Sequence, residues 1–215
     1  MRIGYYGGTF DPPHRGHLAV AQAAAAAFAL DRVELAPTGR QPLKDAAPHA
    51  TFTQRLDMVR LLCGESALLH ASDIEAPRAN GSPNYTVDTL RTLARNCDEL
   101  FAIVGADSFL DLRRWREPDE LLRIAQWIVV SRPGWALDNL TPLALTAEQR
   151  ARVHLLTTVH VDISATGIRA KLAQGGASQK KLADAVAETL TNELTPEVLR
   201  YIREHHLYIS EENQS

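Results

Sequence analysis

Short apolar runs alternate with stretches of helical periodicity along most of the chain, and that alternation leaves few folds open. Arg2–Tyr6, Arg32–Ala36, Ala67–His70, Glu99–Val104, Trp127–Val130 and Val153–Val159 read as strands. They are apolar rather than alternating, as strands are when both faces of a sheet are covered. Helices are expected from about Gly16 to Leu30 and at Phe52–Cys63, Thr86–Arg95, Pro118–Ile124, Ile168–Ala173, Lys181–Glu193 and Pro196–His205. Phe52, Leu56, Val59 and Cys63 have helical spacing, and Thr195-Pro196 supplies an N-cap and a first helical residue. Thr38–Thr51 and Ile74–Asn84 are rich in Pro, Gly and polar residues and are expected to be loops. The pattern predicts an α/β fold with an open, doubly wound parallel sheet and helices on both faces. Ligands of such sheets bind beyond the carboxyl ends of the strands, so the informative residues should follow each strand.

Composition narrows the class. A chain of 215 residues, 45% apolar, can bury one sizeable core. One domain is expected, with a core over 1–175 and a C-terminal helical part over 176–215. A net charge of −3 gives no broad cationic field for nucleic acid. Cys63 and Cys97 form no CxxC-type pair, which argues against structural zinc and suits a reducing compartment. Met1-Arg2-Ile3 runs straight into a strand, so no signal peptide is expected. The longest apolar stretch, Ala19–Leu30, falls short of the roughly 20 residues a membrane span needs. A soluble, cytoplasmic protein without membrane or nucleic-acid partners is expected. Asp73, Glu75 and Glu211-Glu212 read as solvated charge.

Gly7–His17 (Gly-Gly-Thr-Phe-Asp-Pro-Pro-His-Arg-Gly-His) joins the first strand to the first helix. Gly7 and Gly8 let a ligand approach the backbone. Pro12-Pro13 stiffens the turn that aims His14. His14 and His17, three apart at a helix start, can face one side, where free N–H groups and the helix dipole attract anions. Their protonation is ambiguous here, because the dipole disfavours imidazolium and a bound polyphosphate favours it. With no third ligand nearby, the pair reads as phosphate donors rather than half a metal site. The string departs from the GxGxxG fingerprint and from the GxxxxGK[ST] loop, which argues against a dehydrogenase or a P-loop kinase.

Ile163-Ser164-Ala165-Thr166-Gly167-Ile168-Arg169 also stands between a strand and a helix. Ser164 or Thr166 can cap that helix and offer a hydroxyl to phosphate, and the Arg169 fork can clasp phosphate oxygens. An ordinary cap with a surface Arg is the alternative for this segment alone. Taken together, the segments give one sheet two phosphate-binding helix starts.

His14-Arg15-Gly16-His17 resembles the H-x-G-H signature of a nucleotidyltransferase superfamily. Ile163–Arg169 is similar to its second motif, I-S-S-T-x-I-R, with Ala165 replacing the second Ser. Asn84–Leu90, Ile103–Ser108, Trp115, Ser131–Gly134 and Val198–Tyr208 look like the corresponding stretches of bacterial nicotinate-nucleotide adenylyltransferases. The resemblance covers about Met1–Gly175 and the final dozen or so residues, whereas Ser178–Glu193 matches no motif. Pro42-Leu43-Lys44 keeps the Pro and Lys of a Pro-Pro-His-Lys loop and replaces its His.

The resemblance implies a Rossmann-like fold and transfer of AMP from ATP to nicotinate mononucleotide, giving deamido-NAD and pyrophosphate. It implies catalytic roles for His14, His17 and Arg169. ATP would be bound by Gly7, Gly8, Thr9, Phe10, Gly16, Gly105, Asp107, Ser164, Thr166 and Arg132. Lys44, Thr86 and Trp115 would hold nicotinate mononucleotide. Asp107 suits ribose hydroxyls, and Thr86, starting a helix, suits the nicotinate carboxylate or is a plain N-cap. Trp115 is either a stacking platform for the pyridine ring or an ordinary Trp. Arg132 is either a phosphate ligand or half of a structural ion pair. Mg²⁺ is expected to arrive with ATP, held by phosphate and water rather than by a protein metal site. A homo-oligomer is left open. The rival readings are a phosphopantetheine adenylyltransferase, a nicotinamide-preferring enzyme and a non-catalytic nucleotide sensor.

Overall fold

A computed structural model describes residues 1–43, 46–131, 137–159, 162–174 and 190–209. Its centre is a six-stranded sheet of β1 (Arg2–Gly8), β2 (Arg32–Pro37), β3 (Leu69–Ala71), β4 (Glu99–Gly105), β5 (Gln126–Val130) and β6 (Val153–Leu156). The strand order is β3-β2-β1-β4-β5-β6, and every pairing is parallel. The chain steps outward from β1 to β3, then returns to the other side of β1 for β4. That reversal opens a crevice between the carboxyl ends of β1 and β4. Gly7-Gly8 and Gly105 end those two strands.

Helices α1 (Arg15–Ala27), α2 (Phe52–Cys63), α7 (Ala165–Gln174) and α8 (Pro196–Glu204) contribute to the core on one face. Helices α3 (Thr86–Ala94), α4 (Ala106–Leu110) and α5 (Pro118–Ile124) contribute to the core on the other. Helix α6 (Ala147–Ala151) precedes β6. The strands divide their side chains between the faces with period two. Phe101 and Ile103 of β4 join the first core, whereas Leu100, Ala102 and Val104 join the second. The second core is anchored by Trp127, 1% exposed, whose indole N–H donates to the Leu121 carbonyl at 3.2 Å. No helix among the described residues is long and apolar enough to cross a membrane.

Boundaries differ from expectation where a partner strand or a cap decides them. The expected strand Ala67–His70 is displaced to Leu69–Ala71, where Leu69 pairs with Val33. The expected strand Val153–Val159 stops at Leu156, opposite Val130, the last residue of β5. Helix α7 begins at Ala165 rather than Ile168, because the Ser164 hydroxyl accepts from the Gly167 N–H at 3.1 Å and caps it. The short α4 and α6 escaped the periodicity reading, having five residues each. The expected Lys181–Glu193 helix lies largely outside the described residues.

Gly39, just after β2, donates its N–H to the Glu75 carbonyl at 2.8 Å. A Cβ there would stand 2.7 Å from both the Glu75 carbonyl oxygen and the Pro77 nitrogen, backbone atoms that cannot swing away. At Gly105 a Cβ would meet nothing within 4 Å. Gly39→Ala is therefore expected to cost about 1–3 kcal/mol, read from urea unfolding. Gly105→Ala should leave the urea midpoint nearly unchanged; equal losses in the two variants would contradict this account of the crowding.

Candidate active site

The Gly7–His17 segment is held by a buried carboxylate. Asp11, 4% exposed, accepts from the backbone N–H groups of His49 at 2.8 Å and Ala50 at 3.1 Å, and from the Tyr208 hydroxyl at 2.8 Å. Arg55, 2% exposed, donates to the carbonyls of Thr9 at 2.7 Å, Thr38 at 3.0 Å and Ala50 at 3.3 Å. A cation and an anion thus share the floor of the loop, each bonded to the backbone that would otherwise lack partners.

From that base the chain enters α1, with His14 as N-cap and Gly16 buried in the first turn. The imidazoles of His14 and His17 stack with centroids 3.7 Å apart, and Phe10 packs on His17 at 4.8 Å. His17 Nδ1 accepts from the His14 backbone N–H at 3.2 Å. A ring nitrogen that accepts carries no proton, so the neutral ring keeps its proton on Nε2. His14 Nδ1 is buried without a partner among the described residues. Burial pushes the pKa of His14 down to about 4, and burial followed by the neighbouring His14 holds His17 well below the ordinary imidazole range. Burial therefore favours the neutral form of both rings near pH 7.

The second segment meets the first. Arg169 donates to the Asp11 carbonyl at 2.7 Å and to the Thr166 hydroxyl at 3.3 Å. The starts of α1 and α7 are thus tied through Asp11, on the face of the sheet that carries both helices. Ser164, Thr166 and Arg169 lie together at the start of α7.

On the opposite side of β1 lies a cavity of about 560 Å³, filling the crevice between the carboxyl ends of β1 and β4. Gly7, Gly8, Thr9, Gly105, Thr86 and Trp115 all line it. Thr86 is the first residue of α3, and the N-cap is Tyr85, so the reading of Thr86 as the cap itself is corrected. Trp115 is half-buried and meets Trp127 edge to face at 6.1 Å, which fixes its plane at the cavity wall. Asp107 is exposed in the first turn of α4, beside the cavity-lining Ser108. Lys44 and Arg132 lie outside the described residues.

Glu75 is the clear correction. Expected to be solvated, it is 2% exposed and lines the cavity. Its carboxylate accepts from the Tyr5 hydroxyl at 2.5 Å and the Thr89 hydroxyl at 3.0 Å. Neither partner is near it in sequence, so no local pattern marked it. Asn84 is likewise buried, accepting from the Arg40 N–H at 2.9 Å and donating to the Ala76 carbonyl at 3.1 Å. Arg55 carried a readable signal, since it sits among Phe52, Leu56 and Val59 on the apolar side of α2. Tyr208 was marked only as part of the Val198–Tyr208 resemblance, with no role attached to it.

The neutral imidazoles make stability depend on pH. An unfolded His takes its proton near pH 6.5, whereas His14 resists to about pH 4. The unfolded chain therefore binds more protons across that window, and stability is lost as pH falls from about 6.5 towards 4. The urea midpoint should decline over this range, and His14→Asn should flatten the decline. A His14 ring resonance that titrates near pH 6.5 would contradict the assignment.

A family model described as cytidylyltransferase-like matches residues 5–171. A relative from Roseiflexus sp., named probable nicotinate-nucleotide adenylyltransferase, is 39% identical over 96% of this chain and 97% of its own. One of the same name from Solibacter usitatus is 34% identical over 97% of this chain and 100% of its own. The solved structure of Plasmodium falciparum nicotinic acid mononucleotide adenylyltransferase complexed with NaAD superposes with a TM-score of 0.72 at 17% identity, covering 96% of this chain and 97% of that one. The same protein complexed with APC gives 0.70 at 19% identity over 96% of both chains. These superpositions show the Rossmann-like nucleotidyltransferase fold. By the extent of these matches, the chain belongs to the cytidylyltransferase-like family and, within it, to the nicotinate-nucleotide adenylyltransferases.

Proposed function

We propose that this protein transfers AMP from ATP to nicotinate mononucleotide, giving nicotinate adenine dinucleotide and pyrophosphate in NAD biosynthesis. The observation that carries the reading is the two-sided crevice. Two helix starts bearing His14, His17 and Arg169 are bonded together on one side of Gly7–Thr9, and a mononucleotide-sized cavity lies on the other.

In the proposed reaction a phosphate oxygen of nicotinate mononucleotide attacks the α-phosphorus of ATP. A new P–O bond forms, the bond from the α-phosphorus to the bridging oxygen breaks, and pyrophosphate leaves with that electron pair. The attacking oxygen is already ionised at neutral pH, since the second pKa of a phosphate monoester is about 6. No general base is needed, and catalysis reduces to alignment and charge stabilisation. Nε2–H of His17 is the ring's free donor, because Nδ1 is engaged by the backbone. His14 stands beside it as the N-cap of α1, its ring stacked on that of His17. Arg169, with Ser164 and Thr166, serves the β- and γ-phosphates, while Gly7, Gly8, Thr9, Phe10, Gly16, Gly105 and Asp107 frame the nucleotide. Thr86 and Trp115 serve the acceptor. Lys44 and Arg132 are proposed on sequence grounds alone.

The donor set fits a cation carried by the nucleotide. Imidazole, guanidinium and helix N–H groups address phosphate, and the Asp11 carboxylate is already taken by backbone and Tyr208 donors. Mg²⁺ bound to ATP would neutralise phosphate charge, with phosphate and water as its ligands. The reading carries a cytoplasmic setting.

Incubation with ATP, Mg²⁺ and each acceptor, with pyrophosphate followed, tests the reaction. Strong release is expected with nicotinate mononucleotide, weaker release with the nicotinamide form and almost none with phosphopantetheine; ATP binding without any release would identify a sensor instead. His17→Ala should lower kcat by about 10²–10³-fold with the urea midpoint retained. Gly105→Ala should raise a substrate KM without loss of stability, because its open space faces the cavity.

A further inference from the structure

The C-terminal segment is fastened to α1, α7 and α2 before it reaches the Gly7–His17 segment. The Arg15 guanidinium of α1 donates to the Leu194 carbonyl at 3.1 Å, Lys171 of α7 donates to Glu193 at 2.6 Å, and the Tyr201 hydroxyl of α8 donates to Asp57 of α2 at 3.3 Å. Beyond α8 the backbone is held at φ 50 in His206 and φ 64 in Tyr208. Non-glycine residues enter that left-handed region only where their surroundings impose it, so Tyr208 is set in place by its neighbours. Its hydroxyl donates to Asp11 Oδ1 at 2.8 Å. Burial, and then the Asp11 charge, raise the pKa of that hydroxyl, so it remains a donor through neutral pH.

None of the assigned roles uses this hydroxyl, and neither Tyr208 nor Asp11 lines the cavity. Their neighbour is Arg169, whose charge acts on the Tyr208 hydroxyl in opposition to that of Asp11. Among the described residues, the hydrogen bonds of Arg169 go to neutral oxygens, the Asp11 carbonyl at 2.7 Å and the Thr166 hydroxyl at 3.3 Å. The guanidinium therefore keeps donors for an anion. The carboxylate of the same Asp11 does not claim them, because its oxygens accept from His49, Ala50 and Tyr208. Without the Tyr208 hydroxyl, Oδ1 is left with the Ala50 N–H at 3.1 Å. A buried carboxylate short of a donor recruits a nearby cation. Arg55 is committed to the carbonyls of Thr9, Thr38 and Ala50, which leaves Arg169.

We propose that Tyr208 is a positioning residue of the reaction: its hydroxyl occupies the Asp11 carboxylate and so keeps the Arg169 fork for the β- and γ-phosphates. This rests on the proposal that Arg169 meets those phosphates during AMP transfer. Tyr208 touches no substrate. It acts through Asp11 and Arg169 on the leaving pyrophosphate, and the acceptor cavity on the other side of β1 is outside its reach.

The test is a double-mutant cycle of Tyr208→Phe and Arg169→Ala, read by kcat, by KM for nicotinate mononucleotide and by the calorimetric Kd for pyrophosphate. Tyr208→Phe should lower kcat about tenfold and weaken pyrophosphate binding about tenfold, with KM for nicotinate mononucleotide unchanged within about twofold. In the Arg169→Ala background the same substitution should change kcat and the pyrophosphate Kd by less than about twofold, because the group through which it acts is gone. Ile202→Val, which removes one methyl from the buried face of α8, is the control for packing; it should lower the urea midpoint and keep both values within about twofold. Larger losses from Tyr208→Phe in the Arg169→Ala background, or losses in Ile202→Val equal to those in Tyr208→Phe, overturn the positioning role. A Tyr208→Phe enzyme indistinguishable from the unaltered one overturns it as well. Failure of the unaltered enzyme to release pyrophosphate with nicotinate mononucleotide overturns instead the function on which the role rests.

Discussion

The starts of α1 and α7 both hang on Asp11 and its buried carboxylate. Its side chain accepts from the entry to α2 and from Tyr208, while its own carbonyl receives Arg169 of α7. A buried anion is costly unless donors surround it, and here its donors come from two distant parts of the chain, His49-Ala50 and Tyr208. Burial lowers the pKa of the adjacent Arg55, and the Asp11 charge works against that shift. The two charges secure the Gly7–His17 segment through bonds to Thr9, Thr38, His49 and Ala50.

The sheet divides the labour. Successive residues of β1 point to opposite faces, so Tyr5 reaches Glu75 at the cavity while Tyr6 packs beside Phe10 and His17. One strand therefore touches both halves of the proposed reaction, and the Gly7-Gly8 step at its end is where they meet. A Cβ at Gly7 would stand 2.2 Å from the Tyr5 hydroxyl, so the thin backbone there is dictated by the protein as well as by a ligand.

What the sequence disclosed, and what it withheld, follows the range of the interactions involved. The α/β class and the two segments that open α1 and α7 were legible because apolar runs and contiguous motifs are local. Helix α6 was legible too and was passed over: Thr146 and Gln149 form a capping box, the Thr accepting from the Gln149 N–H at 3.2 Å. The burial of Glu75 and the reach of Tyr208 to Asp11 depend on partners that only the finished fold brings near.

Tyr208 gives the fold a temporal order. It lies 197 residues after Asp11, the partner of its hydroxyl. A ribosome delivers the loop long before its latch. All six strands have been made before α8 and Tyr208 emerge, so the sheet can assemble around a loop whose carboxylate still lacks one donor. The same stretch supplies Val198, Leu199 and Ile202 to the core on one face, so the segment that completes the packing also completes the surroundings of Asp11.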